Sequence, residues 1–533
     1  MNSVNTTTTW KCSVVQSNSG PIASMTVTTN GSTVSPFRIK GVCYSPCPIG
    51  GSNNNASNIG DWFWDTYTSG STTITSWEQT WENDLPKIKA LGVNTIRVYC
   101  MLSQQLPNQW NADTIFTHQK FLDACYKLGI YVLVGFPLPT QLFDSGQVPT
   151  PDQTWWQNNL QTTVTNLGSH PAVMGFIIAN EVDNGSVDTY GSSTNQTYWW
   201  SQVQAMASIA KTAAPDKLIG ISNHDDPGIC ENCETEMATC TSIDFWGVNT
   251  YQPQTFASVF GNSTITSGYA KLSGAALKPV ILTEYGFPAT SRTSENTLSP
   301  LQIMSNTETQ QNVATVLETM LPAAYAEQMN LGVCYFEYCD EWWNQSGYTL
   351  SSSGSCPTGT GPYAPNGSNS SSGTAFNAPN DYTWFGGPIA CGFPNYYWDN
   401  EGFGLYAVAA GSNRNPAQPW DQSTNSPALP LDTRTPRTPL ISQISTFNNY
   451  NLISGFVTAI DQVNGSTQVS VSSDEYGRPP ATGKPGSLTN YFYMPGNLSQ
   501  AEETELANAK ASGKYVTLVF NDDRSIVLVV AGS

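Results

Sequence analysis

The sequence predicts a (β/α)8 barrel with a long loop insertion after strand eight and a small C-terminal β domain. Three observations lead there. Eight short apolar runs alternate with helical patterns between residues 37 and 448, and such alternation calls for a parallel sheet with helices outside it. No Gly-rich phosphate turn is found, and a doubly wound open sheet needs one at its switch point. Two carboxylates, Glu181 and Glu284, stand at the ends of the fourth and seventh apolar runs, the rim on which barrel enzymes place their chemistry.

The elements follow in order. Residues 37–44 (Phe-Arg-Ile-Lys-Gly-Val-Cys-Tyr) read as the first strand. A helix over 77–91 puts Trp81, Leu85, Ile88 and Leu91 on one face, and Gly92 ends it. Residues 93–100 are the second strand. Asp113 caps a helix that runs to Leu128 and stops at Gly129. Residues 130–134 form a strand buried on both faces, and 154–167 are helical. The fourth strand is 173–179, followed by a helix over 197–213 and a fifth strand over 218–222. A strand over 244–250 leads into helical stretches reaching Leu272. Strand 280–283, a long helix over 307–329 and an eighth strand over 332–338 complete the alternation.

Residues 344–400 break this rhythm. They are rich in Ser, Gly, Pro and Asn and follow strand eight, so they are expected over the C-terminal face of the barrel as a functional loop. The last barrel helix is 438–448. Beyond residue 452 the pattern turns to alternation over 455–460 and 468–472, then a hairpin of 515–520 and 525–530 across Asn-Asp-Asp-Arg at 521–524. The expected organisation is an N-terminal strand or hairpin segment over 1–35, a catalytic barrel over 36–450 and a small β domain over 451–533.

Composition narrows the function. The chain of 533 residues has 21 Lys plus Arg against 40 Asp plus Glu, a net charge of −19. Phosphate binding needs a basic face, so a nucleic-acid partner is excluded. No apolar run reaches the length of a membrane span. Only His118, His170 and His224 are present, too few for a His-rich metal centre. Neither a G-x-S-x-G elbow nor an H-E-x-x-H motif occurs, and residues 477–484 miss the spacing of a phosphate loop. Nothing calls for a cofactor or a metal, and oligomeric state leaves no signal. With 16 Trp, 24 Tyr, 20 Phe and only 11% charged residues, the chain suits a neutral poly- or oligosaccharide, whose C–H faces stack on aromatic rings. Trp342 and Trp343 after strand eight, and Trp62 and Trp64 on the first loop, are candidate stacking platforms, whereas Trp199 and Trp200 at a helix start read as packing.

Twelve cysteines form an even set. Cys230 and Cys233 with Cys240 and His224 allow a zinc reading, but the second half of a zinc ribbon is missing. A disulfide framework suits an extracellular, Ser/Thr/Asn-rich chain better, with Cys356 and Cys391 as its first expected pair because they flank one long loop. N-x-S/T sequons, for example at Asn5, Asn30, Asn262, Asn366 and Asn497, fit a secreted or cell-surface location. The first nine residues are polar and do not read as a signal peptide, so a secreted form would have shed one.

The chemistry rests on the paired carboxylates. Ile-Ala-Asn-Glu-Val ends at 182 and Ile-Leu-Thr-Glu-Tyr-Gly at 286. Strands four and seven lie on opposite sides of a barrel mouth, so their side chains converge across it. Retaining glycoside cleavage needs two carboxyl groups about 5 to 5.5 Å apart, one to protonate the departing oxygen and one to attack the anomeric carbon. Glu337, Asp340 and Glu341 crowd the end of strand eight as competing acids, expected in a solvated acidic loop.

At these residues the chain resembles the retaining (β/α)8 glycosidases of clan A, most of all the fungal β-1,3-glucanosyltransferases of glycoside hydrolase family 72. The resemblance is carried by Gly-Val-Cys-Tyr-Ser-Pro at 41–46, Asn-Asp-Leu-Pro-Lys-Ile-Lys-Ala-Leu-Gly-Val-Asn-Thr-Ile-Arg-Val-Tyr at 83–99, Gly-Ile-Tyr-Val-Leu at 129–133, the strand-four run at 173–182 and Thr-Glu-Tyr-Gly at 283–286. Asn-Glu-Gly-Phe-Gly-Leu-Tyr at 400–406 is similar to the family's segment after strand eight. Phe287-Pro288 stands where the family usually has a Cys. The resemblance implies that Glu181 is the acid/base and Glu284 the nucleophile. It implies that Asn180 binds a sugar 2-hydroxyl, that Arg97 sits beneath the nucleophile and keeps it ionised, that Tyr251 donates to Glu284, and that Tyr44 lines a subsite. Glu181 is then expected to have a raised pKa and Glu284 to stay charged. The expected activity is a retaining β-glycoside hydrolase or transglycosylase acting on a neutral β-glucan through a covalent glycosyl-enzyme. An endo-acting β-1,4-glucanase or mannanase of the same clan, a non-catalytic carbohydrate-binding barrel and a structural surface protein are the alternatives.

Overall fold

The computed structural model describes residues 6–17, 20–34, 36–47, 67–69, 72–74, 78–102, 118–144, 150–183, 193–289, 307–341, 393–394, 398, 402–409, 411, 420–421, 426–427, 429–449, 451–463, 466–472, 489–494, 500–513, 515–520 and 526–531. Eight strands close into one barrel: β1 (Ile39–Cys43), β2 (Thr95–Val98), β3 (Tyr131–Gly135), β4 (Val173–Asn180), β5 (Leu218–His224), β6 (Phe245–Asn249), β7 (Val280–Tyr285) and β8 (Asn330–Tyr335). Every neighbouring pair is parallel, β8 against β1 included. The helices between them are α1 (Glu78–Ala90), α2 (Gln119–Lys127), α3 (Thr150–Gly168), α4 (Ser193–Ala213), α5 (Pro227–Met237), the single turn α6 (Ala257–Phe260), α7 (Thr307–Ala326) and α8 (Thr438–Asn449). The fold is a (β/α)8 barrel.

Local chemistry explains the punctuation. Trp81, Leu85 and Ile88 of α1 are buried at helical spacing, and Gly92 just beyond has φ +74°, the left-handed conformation that glycine adopts without a Cβ clash. Asp226 caps α5 by accepting from the Gly228 amide at 2.8 Å, with Pro227 at the first helical position. The helix read as starting at Asp113 is described only from Gln119, and its expected cap lies outside the described residues.

Two additions sit at opposite ends. A three-stranded antiparallel sheet (Thr8–Ser17, Gly20–Thr29, Ser32–Val34) covers the N-terminal ends of the barrel strands. Trp10 packs edge-on against Phe37 before β1 and Tyr131 at the start of β3, and its amide donates to Asp216 O before β5 at 2.9 Å. Buried Lys217 pins the same sheet, donating to Thr8 O at 3.0 Å and His170 O at 3.2 Å. The sheet thus closes the N-terminal end of the barrel.

At that mouth, the chain returning from the insertion ties onto the end of β8. Leu405 N donates to Glu337 O at 2.9 Å and Tyr406 N to Tyr338 O at 3.0 Å. Arg437 forks onto Asp340 at 2.6 and 2.9 Å. Arg434 forks onto Asp84 of α1 at 3.1 and 3.0 Å, and the same carboxylate accepts from Tyr44 at 3.0 Å and Tyr338 at 3.1 Å. The acidic residues after β8 are thus not a solvated loop: Glu337, Asp340 and Glu341 are all buried. Burial pushes the Glu337 carboxyl well above its ordinary value, with the nearby Glu341 charge adding to it. The segment over 342–391, with Trp342 and Trp343, lies outside the described residues, as do Trp62 and Trp64.

The C-terminal unit is a five-stranded antiparallel sheet, β9 (Asn451–Val463), β10 (Ser466–Ser472), β11 (Thr489–Met494), β12 (Tyr515–Phe520) and β13 (Ile526–Ala531), in the order β11-β10-β9-β12-β13. Helix α9 (Gln500–Ser512) completes it, an element the alternating pattern did not suggest. Leu506 and Ala509 of α9 join Val469, Val471, Val516 and Leu518 in a core separate from the barrel's, and β12 and β13 also touch α7.

The cysteines differ from expectation. Cys12, Cys43, Cys125, Cys230, Cys233, Cys240, Cys334 and Cys339 carry free thiols. Most of them are packed inside as small apolar groups, so the disulfide framework does not extend to these eight. Cys356 and Cys391 lie outside the described residues. Among the described residues no helix is long and apolar enough to cross a membrane.

Candidate active site

Each strand delivers its side chain to the mouth by the alternation of the pleat. Arg97 and Tyr99, two apart on and just after β2, point the same way. Arg97 Nη1 lies 2.8 Å from Glu284 Oε1, and the Tyr99 hydroxyl donates to the same oxygen at 2.9 Å. The guanidinium carbon stands 4.5 Å from the Tyr99 ring centroid. Tyr251, just past β6, donates to Glu284 Oε2. Glu284 therefore receives one cationic and two hydroxyl donors at the end of β7. Gly286 follows two residues on, where an added Cβ would stand 1.9 Å from Phe336 O. The Glu-Tyr-Gly motif is needed for that close approach of β7 to the end of β8.

Asn249, the last residue of β6, joins the two carboxylates. Its Oδ1 accepts from Ser222 at 2.7 Å, Thr283 at 2.8 Å and Arg97 at 3.2 Å. That turns its Nδ2 outward to Glu181 Oε1 at 2.8 Å and Asn180 Oδ1 at 3.0 Å. Arg97 Nη2 also donates to Asn180 Oδ1. The Asn180 carbonyl is thus occupied, and the residue is exposed at the tip of β4. Glu181 follows with φ +50°, a left-handed conformation that is uncommon for a non-glycine residue. Its amide is held by Ser222 O at 2.8 Å. The second Glu181 oxygen lies 3.3 Å from His224 Nε2 at the end of β5.

The electrostatics reverse the expected division between the carboxyls. Burial would raise Glu181, but the hydrogen bond and charge of His224, with Asn249 and Arg97, hold it below its ordinary value. Burial pushes Glu284 up; Arg97 and the Tyr251 and Tyr99 hydroxyls pull it back, the Glu181 charge adds to the rise, and it stays above its ordinary value. The physical reason is the imidazolium beside Glu181 and the depth of Glu284 in the mouth.

Tyr44 is a second correction. It is fully buried, its hydroxyl donates to Asp84, and it packs against Tyr338 rather than lining a subsite. The aromatic wall beside Glu284 comes from elsewhere: Trp398 packs 4.8 Å from Tyr251, centroid to centroid, with Phe403 at 5.5 Å from the same ring.

A family model described as glucanosyltransferase, that of glycoside hydrolase family 72, matches residues 16–315, more than half of the chain. The chain belongs to this family. It is 25% identical over 272 residues to the 1,3-beta-glucanosyltransferase gas5 of Schizosaccharomyces pombe, covering 50% of this chain and 46% of that protein. It is 26% identical over 261 residues to the GAS5 enzyme of Saccharomyces cerevisiae, covering 47% and 45%. A 1,3-beta-glucanosyltransferase of Arthroderma benhamiae is 29% identical over 216 residues, covering 38% and 34%. The chain spans about half or less of the length of these curated relatives.

Within this family member, Tyr99, Asn249 and Asp183 were not singled out from sequence, and His224 was read there only as a candidate zinc ligand. Tyr99 could have been found from its place two residues after Arg97 on one strand. Asn249 ends β6, a position that reads as mouth-facing once the strand is counted. His224 and Asp183 carry no local signal, because only the adjacency of β4 and β5 brings them together.

Proposed function

We propose that this protein is a retaining β-1,3-glucanosyltransferase acting on a neutral β-glucan through a covalent glycosyl-enzyme, with Glu284 as nucleophile and Glu181 as acid/base. The observation that carries the reading is the shared hydrogen-bonded set across the mouth. Arg97 contacts Glu284 and Asn180, and Asn249 contacts Arg97, Asn180 and Glu181, so two carboxylates on opposite strands are positioned as one unit. A binding barrel has no need of that arrangement. Membership of the glucanosyltransferase family supports transfer over the β-1,4-glucanase or mannanase reading. The Ser/Thr/Asn-rich, charge-poor chain with its sequons is consistent with action on a polysaccharide outside the cell.

In this mechanism Arg97, Tyr99 and Tyr251 aim the Glu284 carboxylate at the anomeric carbon and bear its charge. The Asn180 amide N–H groups, left over once its carbonyl is engaged, donate to the sugar 2-hydroxyl, a contact that strengthens in the transition state. Glu181 protonates the leaving oxygen. A second sugar hydroxyl then attacks the glycosyl-enzyme, with Glu181 taking its proton.

The test is mass spectrometry of products from reduced β-1,3-, β-1,4-, β-1,6- and β-1,2-linked glucan oligosaccharides and mannan. Products longer than the donor from the β-1,3 series are expected. Only shorter products would make the protein a hydrolase, and elongation of another linkage would replace the substrate. In Glu181→Ala, turnover of a β-glucan oligosaccharide is expected to fall about 10²- to 10⁴-fold, the usual worth of general acid catalysis. An activated aryl glycoside, whose leaving group needs no proton, should retain its glycosylation step. Equal losses on both substrates would remove Glu181 from the acid role.

Arg97→Met has a signed pH consequence. Activity requires ionised Glu284, and the Arg97 charge lowers its pKa. Without that charge the carboxyl holds its proton to higher pH, so the acidic limb of kcat/KM moves upward. An unchanged acidic limb would take Arg97 out of this role.

A further inference from the structure

The end of β5 places one imidazole between two carboxylates. His224 Nε2 lies 3.3 Å from Glu181 Oε2, and Nδ1 lies 2.9 Å from Asp183 Oδ1. The His224 amide donates to Asp183 Oδ2 at 3.0 Å, so Asp183, only 1% exposed, grips the residue by ring and backbone together. Both oxygens of Glu181 are then engaged, one by Asn249 and one by His224. The other described ionisable groups near the pair have partners of their own. Glu284 is bound by Arg97, Tyr99 and Tyr251. Asp225 accepts from Thr250, Gln252 and Ser258, Asp226 caps α5, and the Tyr269 hydroxyl meets Asn223. Among the described residues, His224 is the imidazole that faces Glu181 and can exchange a proton with it.

This geometry bears on a difficulty in the mechanism. An acid/base must hold a proton before it can give one, yet the partners of Glu181 favour its charged form. We propose that His224 holds the proton that Glu181 delivers, so that acid–base catalysis belongs to the Glu181–His224 pair and Asp183 positions the ring for it. The proposal rests on the glycosyl-transfer reading above. In the first half-reaction the proton passes from His224 Nε2 to Glu181 Oε2 and on to the glycosidic oxygen. The bond from that oxygen to the anomeric carbon breaks as a Glu284 oxygen bonds to the same carbon. His224 is left neutral, its remaining Nδ1 proton donated to Asp183. In the second half-reaction an acceptor hydroxyl bonds to the anomeric carbon and Glu284 leaves as carboxylate. The acceptor's proton goes to Glu181 and back to His224, so one proton leaves and one returns.

Burial would lower the His224 pKa, but its hydrogen bonds and charge interactions with Asp183 and Glu181 push it up to about 10. The pair therefore keeps its one proton through neutral pH, and the alkaline limb of kcat/KM is expected to follow His224. The test compares the pH profiles of wild type, His224→Gln and Asp183→Asn on one β-1,3-glucan oligosaccharide, with thermal unfolding of each variant. In His224→Gln the alkaline limb should move to lower pH by at least about one unit, because Glu181 must then hold the proton alone. Asp183→Asn should move it in the same direction by less.

The opposite sign overturns the proposal. If His224 only stabilises charge on Glu181, its removal lets Glu181 protonate more readily, and the limb moves to higher pH. A second measurement needs no turnover: NMR titration of the histidine Cε1 protons, three in all. His224 should titrate far above its ordinary value and fall back in Glu181→Gln. A wild-type His224 titrating at its ordinary value overturns the proposal whatever the activity. A wild type with high-titrating His224 and no turnover of any glucan would instead sink the glycosyl-transfer reading, and the catalytic proposal with it.

Discussion

Replacing Glu284 by glutamine is expected to lower kcat/KM on a β-1,3-glucan by about 10⁴-fold or more, the scale of losing a nucleophile that acts within a catalytic unit. The amide keeps the size and the acceptor oxygen of the side chain. Tyr99 and Tyr251 retain a partner, so the mouth should keep its shape. What disappears is the charge: an amide cannot form the glycosyl ester, and no other described carboxylate stands in its place against Arg97. Initial rates on the oligosaccharide series, together with peptide mass spectrometry of wild type treated with a 2-fluoro glycoside, check this. The label should sit on Glu284 and be absent from the variant. A variant within tenfold of wild type, or a label on Glu337 or Glu341, would move the nucleophile elsewhere.

Replacing Asp84 by alanine is expected to be the largest loss of stability, about 3–5 kcal/mol, as for other buried pairs that lose one partner. This carboxylate is fully buried and accepts the Arg434 fork and the hydroxyls of Tyr44 and Tyr338. It ties α1, the end of β1, the end of β8 and the returning chain before α8 into one node. Alanine would leave a buried guanidinium and two hydroxyls without their acceptor. The double variant Asp84→Leu with Arg434→Met should recover much of the loss, since apolar replacement of a whole buried pair is often neutral. Denaturant unfolding followed by tryptophan fluorescence measures both. Equal losses in the single and double variants would mean that the node acts by packing rather than by charge.

The barrel was legible because its signals are local. Apolar runs buried on both faces, helical spacing such as Trp81-Leu85-Ile88 and the stop at Gly92 are written within a few residues of one another, and parallel pairing follows from their alternation. Glu181 and Glu284 were legible for the same reason, each at the end of a countable strand. The helix over Gln500–Ser512 was missed because only Leu506 and Ala509 are buried on it, too weak a stripe to read as a period.

Everything that depends on which strands are neighbours was decided by the tertiary structure. The chain alone cannot tell that Tyr44 turns inward to Asp84, 40 residues away, or that Arg434 arrives there from 350 residues downstream. It cannot tell that eight cysteines carry free thiols, seven of them buried. Nor can it place His224 against Glu181, 43 positions earlier, because that contact exists only where β4 and β5 run side by side. The sequence by itself determined the barrel and the two carboxylates at its mouth. The charge state of those carboxylates was decided only by folding, because electrostatic interaction falls with distance and rises with burial, and both are properties of the closed barrel rather than of the chain.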